Sequence, residues 1–312
     1  DFDAAPQLRR RPLGDLLDAL RAQGADTLPH DAAALPLTLS AHGLRGGALT
    51  LPGDVSSQFV SALLMAGPLG RAPLDLRVEG LVSRPYVSMT LRMMERFGAA
   101  PRVVGTDRFL VAPGRYTGCS YDVEPDASTA SYFLAAAAVA GRVQVLGLHR
   151  ADALQGDVAF LDVLEAMGCR IEDEPAGVRV TGPPALEGIT VDMAAIPDTF
   201  MTLAAIAPLA TSPVTVTGIG NVRFKESDRI AAMEENLGRT GVRTESGPDW
   251  MRVFPGTPHG ATIDPHGDHR IAMAFAVLGL ATPGIAVDDP ACVAKTCPGF
   301  FDLWRTLEQG TG

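Results

Sequence analysis

Cysteine is scarce in this chain, and its pattern excludes two architectures. The four cysteines, Cys119, Cys169, Cys292 and Cys297, form no CxxC pair of the zinc-binding kind, and no metal is expected. A chain of 312 residues also buries enough surface to stand without a disulfide framework. Cys292 and Cys297, in CVAKTC, invite a redox reading, but free structural thiols are the better expectation. A membrane-spanning run is lacking too: the most apolar stretch, 271–287, is broken by Gly and Pro and is short and alanine-rich. No secretory signal opens the chain, so a reducing, cytoplasmic setting is expected. No GxGxxG or GxxxxGK[ST] loop stands at a strand–helix junction. Positive charge is in deficit, with a net charge of −10, which argues against nucleic acid or an acidic membrane as partner. The basic residues that exist are clustered, in LRRRP at 8–12 and FKESDR at 224–229, with single ones in DHR and AKT, and such loops suit small anions. The chain begins DFDAAPQ without Met, as a piece of something longer would.

What is present is a repeat. Four times an Asp opens a run rich in alanine: GDVSSQFVSALLMAG with Asp54, PDASTASYFLAAAAVAG with Asp126, PDTFMTLAAIAPLA with Asp198 and GDHRIAMAFAVLGLA with Asp268. The intervals are 72, 72 and 70 residues. A second marker keeps the same beat, an amphipathic helix closing on Gly plus another residue, at Gly24-Ala25, Gly98-Ala99, Gly168-Cys169 and Gly241-Val242. Two markers in step mean a structural unit of about 70 residues.

Each Asp stands where a helix N-cap belongs, its carboxylate able to accept from the first free amides and suited to the positive end of the dipole. The helix behind it is apolar on most faces and is expected to be buried. β-rich runs follow, LDLRVEG at 74–80, VQVLGL at 143–148 and VTVTGI at 214–219, and then the second helix with its Gly C-cap. The unit reads βαβαββ, and several copies should pack helices inside and sheets outside.

Function must lie where the copies differ. Aligned on the second Gly, the loops before the amphipathic helix bring Arg11 beside Pro12, Pro85, Gln155 and Asp228 to one topological position. Three of these four loops put Arg or Lys at a helix start, where free amides and the dipole already favour anions. One such Arg would read as solvated surface charge, but recurrence favours an anion site. Ser56, Ser57 and Gln58 place hydroxyl and amide donors in a first turn, and Arg270 does the same beside His269, which by itself reads as structural. Asp198 follows Pro197 and is either a plain N-cap or a carboxylate left for a ligand hydroxyl. Glu226, between Lys225 and Arg229, is held in its ionised form.

The motifs GDVSSQFVSALLMAGPL, LVSRPY, DASTASYFLAAAAVAG, LQGD, PDTFMT, NVRFKESDR, GDHRIAM and AKTCPGFF together resemble the 5-enolpyruvylshikimate-3-phosphate (EPSP) synthase family. The match runs from about residue 7 to the end, in order. The resemblance implies an α/β fold of the inside-out barrel type, two domains of repeated βαβαββ units with ligands bound in the cleft between them. The domains would be 1–124, incomplete, and 125–312. It implies transfer of the enolpyruvyl group of phosphoenolpyruvate to the 5-hydroxyl of shikimate 3-phosphate, with phosphate released, no cofactor, and a monomer. Ser56, Ser57, Gln58, Ser83, Asp198, Asn221 and Lys225 would bind shikimate 3-phosphate, with Tyr86 as a neighbour. Arg11, Gln58, Arg229, Arg270 and Lys295 would bind phosphoenolpyruvate. Asp198 would hold the shikimate hydroxyls near the attacking oxygen, and Glu226 would take part in proton transfer at the methylene carbon.

These residue types fit the chemistry. Two polyanionic substrates need several guanidinium and ammonium groups, and Arg forks suit carboxylate and phosphate. A proton must reach the enol carbon while another leaves the hydroxyl, which calls for placed carboxylates or lysine. The family's Trp is Val222 here, read as a packing change. Its Lys-Ser pair and Asn-Ala-Gly loop do not occur in this chain, so the 312 residues alone are expected to turn over little. The alternatives are enolpyruvyl transfer to a UDP-amino sugar and a non-catalytic, anion-binding repeat fragment.

Overall fold

The computed structural model describes residues 1–309 and gives two compact units, Asp1–Val123 and Glu124 onward. Unit 1 opens with α1 (Pro6–Arg9), α2 (Gly14–Ala22) and the antiparallel pair β1 (Asp26–Leu28) and β2 (Thr38–Ser40). A complete repeat follows: β3 (Gly47–Pro52), α3 (Ser57–Ala66), β4 (Leu74–Glu79), α4 (Arg84–Arg96), β5 (Arg102–Val104) and β6 (Arg108–Val111). Its sheet has the order β3-β4-β6-β5, with β3 parallel to β4 and the other pairs antiparallel.

Unit 2 carries α5 (Ala127–Ala140), β7 (Arg142–Leu146), α6 (Phe160–Ala166), β8 (Arg170–Glu174) and β9 (Gly177–Thr181). The next copy is β10 (Thr190–Asp192), α7 (Phe200–Ile206), β11 (Val214–Thr217), α8 (Arg229–Arg239), β12 (Thr244–Ser246) and β13 (Met251–Val253). It ends with β14 (Thr262–Ile263), α9 (His269–Ala281), β15 (Ala286–Val287) and α10 (Phe300–Gln309). The β10-β11-β13-β12 sheet repeats the order and directions seen in unit 1.

The helices behind the four Asp markers are the inner ones. All seven residues of α7 are buried, and α5 and α9 pack on it and on each other. Alanines at 135–138 and 272 and 274 let these backbones approach, while Phe200, Phe275, Leu203 and Leu278 fill the space between, each worth about 1.5–3 kcal/mol of burial. The second helices are outer. On α8 the buried stripe is Ile230, Met233 and Leu237, at the spacing of one helical face.

The second marker folds alike in all four copies. Gly24, Gly98, Gly168 and Gly241 have φ between 81° and 97°, which a side chain rarely allows. The amide after each glycine returns to the carbonyl five residues before it: Ala25 to Leu20, Ala99 to Met94, Cys169 to Leu164 and Val242 to Leu237, at 2.8–3.0 Å. That is the 6→1 bond of a Schellman cap.

The first marker divides. Asp126 caps α5, accepting from the Ser128 amide at 3.1 Å, and Asp268 caps α9, accepting from the Arg270 amide at 3.0 Å. Asp54 does not cap; Ser56 takes that place, accepting from the Gln58 amide at 3.2 Å. Asp198 does not cap either. It lies in a short 3-10 turn begun by Pro197, and its carboxylate is drawn elsewhere.

Candidate active site

In unit 1 the loops leading into α3 and α4 are tied together. The Val82 amide donates to the Gly53 carbonyl at 3.1 Å, and a Cβ on Gly53 would come within 2.5 Å of Val78, so glycine is required for this approach. Further along, Ser61 and Thr90 pair across the two helices at 2.8 Å. Ser56, Ser57 and Gln58 thus stand at the start of α3, and Ser83 and Arg84 at the start of α4, just beyond the carboxyl ends of β3 and β4. Ser83 is buried and has φ 51°, a left-handed conformation that costs a non-glycine residue. The Tyr86 amide donates to its carbonyl at 3.2 Å. Arg11 sits half-buried in the turn between α1 and α2.

Unit 2 gathers the rest. Arg229, the first residue of α8, is 1% exposed and bonds three carboxylates. It donates from Nε to Asp268 at 2.8 Å, from Nη2 to Glu226 at 2.7 Å and from Nη1 to Asp198 at 3.0 Å. Arg270 donates from Nη2 to the other oxygen of Asp198 at 2.8 Å. Lys295 pairs with the second oxygen of Glu226. Asp198 and Glu226 are therefore each shared between two cations. Lys225 also acts on Asp198 electrostatically, and Asn221, buried, lies in the turn just before it.

The frame around this cluster is polar and well tied. The Asn236 side chain donates to the Asp264 carbonyl at 2.8 Å and accepts from the Asp264 amide at 3.0 Å, clamping the loop that leads to Asp268 against α8. Ser227 donates to Asp268 at 3.1 Å. One carboxylate, Asp268, thus caps α9, pairs with Arg229 and accepts from Ser227.

Charge follows from this packing. Burial raises the Asp198 pKa, but Arg270, Arg229 and Lys225 outweigh it and hold the group at about 2. Burial works against the cationic form of Arg229 and of Arg270, yet the facing carboxylates, Asp268 for the first and Asp198 for the second, raise both. His269, buried beside them, is pushed down to about 4 by burial and then by Arg270. The cluster holds Arg229, Arg270, Lys225 and Lys295 against Asp198, Glu226 and Asp268, one net positive charge in a chain of −10.

In unit 2 Asp198, Lys225, Glu226, Arg229, Arg270 and Lys295 are brought together; in unit 1 Ser56, Ser57, Gln58 and Ser83 stand at two neighbouring helix starts, and Arg11 lies in a turn of its own. Two features lie beyond the sequence expectations. Asp268 is the partner of a buried arginine as well as a cap. The chain also contains only two lysines, Lys225 and Lys295, and both belong to this cluster, a signal that counting would have supplied.

This arrangement has counterparts. The family described as EPSP synthase (3-phosphoshikimate 1-carboxyvinyltransferase) matches residues 2–304. The chain belongs to the EPSP synthase family. The 3-phosphoshikimate 1-carboxyvinyltransferase of Methanosphaerula palustris is 45% identical over 308 residues, covering 98% of this chain and 72% of that protein. That of Nostoc punctiforme is 45% identical over 313 residues, covering 99% and 73%. The solved EPSP synthase of Acinetobacter baumannii superposes with a TM-score of 0.76 at 25% identity, covering 97% of this chain and 72% of that one. The architecture of inner helices and outer sheets is that of the EPSP synthase fold.

Proposed function

We propose that this chain is a 3-phosphoshikimate 1-carboxyvinyltransferase: it transfers the enolpyruvyl group of phosphoenolpyruvate to the 5-hydroxyl of shikimate 3-phosphate and releases phosphate, in the shikimate pathway. The observation that carries this reading is the interlocked set of Arg229, Arg270 and Lys295 with Asp198 and Glu226, in a member of this family.

The proposed residue roles are those the family resemblance implies, supported by the charge of the cluster. The residues proposed for the carboxylate and phosphate of phosphoenolpyruvate are Arg270, Arg229 and Lys295 in unit 2, and Arg11 and Gln58 in unit 1. The residues proposed for the phosphate and hydroxyls of shikimate 3-phosphate are Ser56, Ser57, Gln58 and Ser83 in unit 1 and Asn221 and Lys225 in unit 2. An incoming anion competes with Asp198 for Arg270 and Arg229. As it takes their charge, Asp198 becomes a stronger base and can accept the 5-hydroxyl proton. Lys295 passes a proton across its salt bridge to Glu226, and Glu226 delivers that proton to the methylene carbon as the hydroxyl oxygen bonds to the adjacent carbon. The adduct then loses a methyl proton back to a carboxylate, the carbon–oxygen bond to phosphate breaks, and the double bond re-forms. Fixed cations stabilise the adduct and the departing phosphate.

The two units serve as the two enolpyruvyl-transferase domains, and the protein works as a monomer in the cytoplasm, where its four free thiols stay reduced. Phosphate release with both substrates tests the activity. It is run on the 312-residue chain alone and with the separately expressed part of a relative that this chain does not match. Appearance of phosphate and of the enolpyruvyl product in either sample supports the reading, and its absence from both contradicts it.

A further inference from the structure

Behind Arg270 stands a tyrosine of the DASTASYFLAAAAVAG motif to which the roles above assign nothing. Tyr132 lies on α5, which packs against α9, the helix that carries Arg270. Its side chain is fully buried, with the ring edge-on to Phe300 at 6.0 Å and 82°. The neighbouring hydroxyls of α5 are all in well-formed bonds. Ser128 donates to Asp157 at 2.6 Å, Thr129 to Asp126 at 2.6 Å, and Ser131 to the Ser128 carbonyl at 2.7 Å. The Tyr132 hydroxyl is the exception: it faces Arg270 and satisfies no hydrogen-bond geometry. Arg270 meanwhile gives one terminal nitrogen to Asp198 at 2.8 Å.

A buried hydroxyl outside a good hydrogen bond costs stability, and phenylalanine would fill the same space without that cost. Its value must therefore appear in another state of the site. We propose that Tyr132 is a positioning residue for Arg270, its hydroxyl accepting from the guanidinium and holding it in place when a ligand carboxylate takes over from Asp198. Burial pushes the phenol up to about 12, so it stays neutral and keeps an acceptor lone pair across the working range. The guanidinium is then fixed from behind by α5 and presents its front to the anion. The inference rests on the reading of Arg270 as a phosphoenolpyruvate residue.

Tyr132→Phe in the 312-residue chain tests it, with calorimetric titration of phosphoenolpyruvate and, separately, of shikimate 3-phosphate at millimolar ligand. The expected result has three parts. The variant's phosphoenolpyruvate Kd rises about tenfold, the loss of one charge-assisted hydrogen bond. Its shikimate 3-phosphate Kd is unchanged, and its thermal midpoint without ligand is equal or higher. Unchanged phosphoenolpyruvate affinity overturns the proposal. So does equal weakening of both ligands with a lowered midpoint, which would mark a structural role. Failure of the unsubstituted chain to bind either ligand is a separate result: it contradicts the functional reading and takes this inference with it.

Discussion

Arg229 and Asp268 meet at 2.8 Å with their side chains 1% and 0% exposed, and this pair joins the start of α8 to the start of α9. A buried ion pair of this kind adds little net stability over an apolar pair, but removing one member strands the other. Arg229→Met should therefore destabilise the fold by about 3–5 kcal/mol, because Asp268 and Glu226 lose their shared partner. Arg229→Met combined with Asp268→Asn should cost less than the two single changes added together. Urea unfolding of the three variants reads both numbers. A loss under about 1 kcal/mol for Arg229→Met would mean that the pair is not holding the two helices.

The histidine next to Asp268 makes stability depend on pH. His269 protonates at about 4 when folded, against an ordinary value of 6.5. Between those values the unfolded chain binds a proton that the folded chain refuses, so stability is full above about 6.5 and falls as pH drops towards 4. The whole window corresponds to about 3 kcal/mol. Urea midpoints at pH 7 and pH 4.5 should differ for the natural chain and differ much less for His269→Gln. Equal acid sensitivity in both would show that His269 is not the group responsible.

The proposed roles divide the two lysines between the ligands. Lys225→Ala should weaken shikimate 3-phosphate binding, and Lys295→Ala should weaken phosphoenolpyruvate binding, each by about tenfold to a hundredfold for the loss of a charge-assisted contact. Lys295 is exposed and Lys225 half-buried, whereas Arg229 is fully buried, so neither change should unfold the protein as Arg229 changes would. Titration of each variant with each ligand decides the matter, and equal effects of both changes on both ligands would remove the division.

Asp198 pairs with both Arg229 and Arg270, and under the proposed roles it competes with the ligand for them. Asp198→Asn keeps the shape but gives up the charge, so phosphoenolpyruvate should bind more tightly to the variant, and shikimate 3-phosphate, which loses its carboxylate contact, more weakly. The variant should also be less stable, since two buried guanidinium groups lose a counter-charge. Weaker phosphoenolpyruvate binding would contradict the competition.

What the sequence revealed depended on how local the cause was. The Gly at the end of each outer helix was readable because one residue and its own helix settle the cap, and all four formed the same bonds. The Asp markers were less readable, since capping is a contest with neighbours. Ser56 stands closer to the free amides of α3 than Asp54 does, and Asp198 is claimed by Arg229 and Arg270, whose positions only the tertiary fold sets. Within FKESDR the link from Arg229 to Glu226 spans three residues and was visible in outline. The links from Arg229 to Asp268, 39 residues on, and from Arg270 back to Tyr132 on α5 arise from packing among three helices, and no local pattern encodes them.

On the proposed reading the cluster around Arg270 is a seat for an anion, filled in this structure by the protein's own carboxylates. The most direct measurement is the dissociation constant of phosphoenolpyruvate, with shikimate 3-phosphate present, for the natural chain and for Arg270→Gln. Arg270→Gln should bind at least tenfold more weakly, as loss of a charge-assisted contact requires, with only a modest fall in the thermal midpoint without ligand, because Asp198 keeps Arg229 as a partner. Equal affinity of the two proteins for phosphoenolpyruvate would contradict the claim.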